Sequence, residues 1–172
     1  MNIREEILKE HSKEHALRIA QYACASKQNF KQLMLCFTED HYRLSQRAAW
    51  SVSWAARMKP EMIKPYIGLL VQQLQNKQAH PAVTRNAVRI LQEIELPEAF
   101  HGEIMNSCFT FIETPATPVA IKAFSLTTLF RLSKIYPEIR QELKTIIEER
   151  WETETAAFRV RGKKILTALQ RP

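Results

Sequence analysis

Glycine is nearly absent: the 172 residues hold only Gly68, Gly102 and Gly162. Hairpin turns, β-bulges and phosphate-cradling loops lean on residues that accept positive φ. No two of these glycines lie close together, so neither a P-loop nor a dinucleotide fingerprint is present. Aspartate is scarcer still, with Asp40 alone. Cysteine is limited to Cys24, Cys36 and Cys108, an odd and widely spaced set without a Cys-x-x-Cys. That spacing predicts free thiols in a reducing cytoplasm, not a disulfide framework, and supplies no thiolate zinc site. No Gly-x-Ser-x-Gly elbow exists for a nucleophilic serine. No stretch approaches the roughly 18 apolar residues of a membrane span. The charged opening "MNIREEILKEHSKEH" predicts no secretory leader. The expectation is a soluble cytoplasmic protein with no membrane contact, no metal and no cofactor.

What is present is ordinary in amount and periodic in arrangement. Hydrophobic residues make up 45% and charged residues 25%, enough for one domain with a real core. In "LSQRAAWSVSWAARM", Leu44, Ala48, Ser51, Val52, Ala55 and Met58 recur at helical spacing and form one stripe. The pattern returns in "VTRNAVRILQEI", in "VAIKAFSLTTLFRL" and in "FRVRGKKILTAL". Each copy centres on a small residue: Ala48, Ala87, Ala123 and Gly162, at intervals of 39, 36 and 39 residues. A degenerate earlier copy, "SKEHALRIAQYA", centres on Ala16. Each copy is followed by a second apolar helix, introduced by Pro60 and Pro65, by Pro97, or by Pro137. Proline is favoured at a helix start, where its missing N–H would be unpaired anyway.

Self-similarity at this period implies stacked helix pairs, because one pair cannot bury its apolar face alone. The chain resembles the HEAT-repeat family, with "HPAVTRNAVRILQEI" the best single match and coverage of roughly 12 to 172. An armadillo-like or other helical-repeat label stays open, and a non-repetitive bundle is the alternative. The resemblance implies an all-α fold: a right-handed α-α superhelix of four to five pairs in a single domain over 1–172. Within it, 1–40 forms a degenerate N-terminal capping repeat, 41–154 three clearer repeats, and 155–172 a C-terminal capping helix.

The net charge of +7 is unevenly spread. The first helices of the four clearer units, 41–59, 82–96, 118–136 and 156–171, hold fourteen Lys or Arg against Glu93 and Glu95. The second segments, 60–77, 97–113 and 137–154, hold five against ten Glu. One place before the small centres stand Arg47, Asn86, Lys122 and Arg161; two places after stand Trp50, Arg89, Ser125 and Lys164. At about 100° per residue these columns adjoin. They predict a basic ridge whose candidate phosphate contacts are Arg43, Arg47, Arg57, Arg89, Lys122, Arg161 and Lys164. A basic ridge beside an aromatic is the footprint that nucleic acid requires, and it is also an ordinary solvated face. Trp50 and Trp54 fall on the flank where neighbouring repeats meet, so packing with arginine stems on their rings is the expected role.

Enzyme readings find little. "HSKEH" fits the inverted zinc-protease pattern through His11 and His15, but no third ligand or cleft accompanies it. "LSQRAAWSVSW" looks a little like a helix of the HEAT-like glycosylases that remove alkylated bases. That family relies on an aspartate beside tryptophans, and Asp40 has no tryptophan near it in sequence. All-α lyases of the fumarase group carry a Met-Pro-x-Lys-x-Asn run that does not occur here. Two functions remain: a non-catalytic protein-interaction scaffold, with Glu103, Glu142 and Glu148 as candidate protein contacts, and a DNA- or RNA-binding module using the ridge. A glycosylase-like repair protein is a distant third.

Overall fold

A computed structural model describes residues 1–171, and no strand occurs among them. The chain divides into two compact units, Met1–Glu95 and a second from Leu96 onward. Unit 1 contains α1 (Ile3–Lys9), α2 (Lys13–Ala23), α3 (Lys27–Phe37), α4 (Tyr42–Met58), α5 (Pro60–Ile63), α6 (Ile67–Gln75) and α7 (Pro81–Leu91). Unit 2 contains α8 (His101–Glu113), α9 (Val119–Leu132), α10 (Ile139–Glu149) and α11 (Ala156–Leu169).

Local chemistry sets the boundaries. Asn2, Ser12, Ser26 and Thr155 are N-caps whose side chains accept from the N–H of Glu5, His15, Asn29 and Phe158. Such caps satisfy a donor that the first helical turn leaves open. Pro60 and Pro81 sit in the first turn of α5 and α7, where proline costs no hydrogen bond. The second helix expected after Pro60 and Pro65 is α6; Pro60 itself opens the short α5, and Pro65 lies in the turn that leads into α6. A 3-10 turn, Lys64–Tyr66, separates α5 from α6.

One first helix stands at the centre of each unit, α4 in unit 1 and α9 in unit 2. In unit 1, α4 packs against α2, α3 and α7. In unit 2, α9 packs against α8 and α11. The small centres lie where helices approach: Ala16, Ala48, Ala87 and Ala123 are buried. A Cβ added at Gly162 would stand 2.9 Å from Ile147 Cγ2 and 3.5 Å from a Trp151 ring carbon. Glycine is therefore required at that crossing of α10 and α11. Around these contacts lie Phe30, Leu33, Phe37 and Leu70 in unit 1, and Leu126, Leu143, Ile147 and Phe158 in unit 2.

The three cysteines are free and buried. Burial pushes the Cys108 thiol up to about 12, and raises those of Cys24 and Cys36. Thiolate, not thiol, is the nucleophile. A thiol-specific chromogenic disulfide reagent should therefore react with native protein only as fast as it unfolds, and with three thiols in denaturant. A rapid stoichiometric reaction at Cys108 in native protein would contradict this burial.

Candidate functional site

The basic residues expected to form one ridge are mostly engaged within the fold. Arg47 donates from Nη1 to the carbonyls of Ile7 (3.3 Å) and Leu8 (2.8 Å), capping the end of α1. Arg57 makes a two-point bond to Glu93, Nε to Oε2 at 2.9 Å and Nη2 to Oε1 at 2.5 Å. That bond and the Arg57 charge hold the Glu93 carboxyl below its usual range. Arg161 donates to the Ala123 carbonyl and to Thr127 Oγ1, both at 3.0 Å. Arg43 and Lys164 are exposed and Arg89 is half-buried.

Lys122 corrects the sequence reading. It was expected on a solvated ridge, yet it is only 3% exposed. Its Nζ lies 2.7 Å from Glu154 Oε1 and 3.2 Å from the Pro115 carbonyl, so it is not available to a phosphate. Arg150 donates to the same Glu154 oxygen from Nε (2.9 Å) and Nη2 (2.7 Å), and from Nη1 to the Glu113 carbonyl at 3.0 Å. A helical position next to the buried stripe goes inside when an opposite charge awaits it, and Glu154 is 32 residues away in the chain.

His15 of the zinc-like motif is likewise committed. Its Nε2 meets the Glu6 carbonyl at 2.7 Å and its Nδ1 meets Arg18 Nη2 at 2.7 Å. Because guanidinium only donates, Nδ1 accepts and Nε2–H donates, leaving no lone pair for a metal. Asp40 sits at an exposed bend between α3 and α4.

The tryptophans part ways. Trp54 is half-buried, with Lys13 Nζ 5.5 Å and the Arg57 guanidinium 5.6 Å from its ring centroid. Trp50 packs its ring against His11, with centroids 5.5 Å apart, and lines a cleft of about 420 Å³ between α4 and α7. Arg85 and Arg89 line the α7 wall of that cleft. Arg85 was missed as a candidate. Its signal was the i, i+4 spacing to Arg89, with no acid at the preceding turn.

In unit 2 a broader groove of about 710 Å³ runs between α8 and α10. It brings Glu103 and Glu142 together and adds Glu113, while Met105, Phe109 and Ile139 supply apolar surface. All three carboxylates belong to exposed residues, and none makes an ion pair among the described residues. Glu148 does not line the groove; it lies 3.9 Å from Lys144 on the exposed side of α10, a pair that solvent and salt weaken.

A family profile for the HEAT repeat domain matches residues 3–169. The chain belongs to the HEAT-repeat family. Neither a curated protein nor a solved structure matches it. The HEAT-repeat match reaches α1, ahead of residue 12, where the sequence resemblance began. No helix among the described residues is long and apolar enough to cross a membrane.

Proposed function

We propose that this HEAT-repeat module is a protein-interaction scaffold that seats a basic, amphipathic helical segment of a partner protein in the α8–α10 groove. HEAT repeats are repeat scaffolds, and their stacked helices present extended surfaces on which partners dock. The observation that supports this reading is the rim of Glu103, Glu113 and Glu142 around Met105, Phe109 and Ile139. Unpaired carboxylates attract and orient a cationic segment. The apolar floor accepts aliphatic residues spaced at i, i+3, i+4 and i+7 on one helical face.

Gly102 gives a clean probe. It is exposed in the first turn of α8, it lines the groove, and a Cβ there meets nothing within 4 Å. Gly102→Leu therefore fills the groove without crowding the fold, and replacing a helical glycine adds helix propensity. The probe is a labelled synthetic peptide with leucines on one helical face and lysines and arginines on the other, followed by fluorescence anisotropy. Micromolar binding is expected to weaken about tenfold or more in Glu103→Lys/Glu142→Lys and in Gly102→Leu. A matched peptide with glutamates in place of the cations should not bind. Equal binding of both peptides, or unchanged affinity in the variants, would sink the reading.

A further inference from the structure

We propose that the cleft between α4 and α7 is a nucleotide-binding site, with the phosphate held by Arg85 and Arg89 and the base laid against Trp50. The site lies wholly within unit 1 and is independent of the α8–α10 groove.

The electrostatics call for an anion. Arg85 and Arg89 stand one helical turn apart on α7, so their guanidinium groups share one face. Neither is in an ion pair among the described residues. The neighbouring carboxylate, Glu93, has both oxygens committed to Arg57. Partial burial desolvates the half-buried Arg89, and the like charges of Arg57 and Arg85 add to this against the one opposing charge of Glu93. A partly buried cation with no ion-pair partner, beside a second exposed one, favours a counter-anion. A phosphate is the anion that two guanidinium forks suit best, since each offers parallel donors to its oxygens.

The rest of the cleft specifies more than an anion. Trp50 and His11 place aromatic surface within reach of the arginine pair. A planar base gains from stacking on indole, and stacking tolerates any base. Asn86 donates its amide N–H to the Ala82 carbonyl at 2.8 Å, which leaves its own carbonyl oxygen as an acceptor. Gln46 adds a second amide on the α4 side. The volume, about 420 Å³, falls within the range of small-molecule sites. The nucleotide has two sources: a free mononucleotide, or one residue of a single strand threading the cleft.

The test is titration calorimetry with AMP, ATP and inorganic pyrophosphate, beside anisotropy with a labelled ten-nucleotide single strand at several salt concentrations. Saturable binding of nucleotide is expected, weakened at least tenfold by Arg85→Ala or Arg89→Gln. Trp50→Leu should weaken nucleotide while sparing pyrophosphate, and Trp50→Phe should restore most of the loss. Binding of ATP or AMP identifies the free nucleotide as the source. Binding of the strand alone, falling steeply with salt, identifies the strand. Circular dichroism and thermal melts establish that each variant is folded. No binding of any nucleotide at millimolar concentration, nucleotide no tighter than pyrophosphate, or affinity unchanged in both arginine variants would overturn the proposal.

Discussion

Glu154→Leu should destabilise unit 2 by about 3–5 kcal/mol, because it strands a buried lysine without its counter-charge. Glu154 receives Lys122 from the first turn of α9 and Arg150 from the end of α10, and it lies one residue before the cap of α11. Through Arg150 the network also reaches the last carbonyl of α8. One carboxylate thus ties together the ends of four helices. The side chains of Lys122 and Glu154 are 4% and 5% exposed, so water cannot replace the lost partner. The Tm of the unit 2 transition should fall by about 10 °C or more. The double variant Lys122→Met/Glu154→Leu removes both charges together and should recover most of the loss, since an apolar pair of similar volume suits such a site. A single variant that melts within two or three degrees of wild type would refute the bracing role.

The same network gives acid sensitivity a sign. Burial raises the Glu154 carboxyl, but the hydrogen bonds and charges of Lys122 and Arg150 outweigh it, and the group titrates below its ordinary 4.5. A carboxylate with a depressed folded pKa binds protons more readily in the unfolded chain. Its stabilisation is present above that unfolded value and is lost as pH falls through the lower folded one. Melts from neutral pH down through the carboxylate range should show this component in wild type and not in Glu154→Leu.

These residues mark where sequence reasoning reached and where it stopped. Helix periodicity exposes whatever repeats, and the small centres repeat, so Ala48, Ala87 and Gly162 stand out in the sequence itself, and the fold places them where helices meet. Periodicity and prolines mark helix starts locally, so the four first helices begin within one residue of their expected bounds, while α7 and α9 end five and four residues early. Pro65 was legible in the same way, as a residue leading into the second helix, and α6 begins two residues after it. Lys122 failed for a different reason. The position before a small centre borders the buried stripe, and at Lys122 the turn carrying Glu154 covers it. Charge on a helix flank is thus legible as charge, but its solvation depends on residues far along the chain. Arg47 and Arg161 repeat the lesson, since each spends its donors on a carbonyl more than thirty residues away. The acidic groove was half legible: the second helices were known to be acidic, yet only their packing could bring Glu103 and Glu142 together.

The second large effect concerns α11, the last helix of the chain. Only Phe158, Gly162 and Ile165 of its residues are buried, and glycine contributes no side chain to the contact. Phe158, fully buried, is therefore the larger of two apolar anchors. Phe158→Ala removes its transfer energy and leaves a cavity, a loss of about 3–5 kcal/mol in a packed core. Arg161 and the Thr155 cap persist in the variant, but exposed or backbone-directed hydrogen bonds net only about 1 kcal/mol each. Anchored by Ile165 alone, α11 should open locally before the remainder of unit 2 melts. Amide hydrogen exchange should show protection across Ala156–Leu169 reduced to that of a frayed end, with α9 losing less and unit 1 unchanged. Retained protection in α11 would mean that its polar contacts hold the helix, and that the small-residue crossing at Gly162 contributes more than its lack of a side chain indicates. Val160→Ala is the matched control: Val160 lies on the same helix but is 61% exposed, so its loss should leave exchange and melting essentially unchanged.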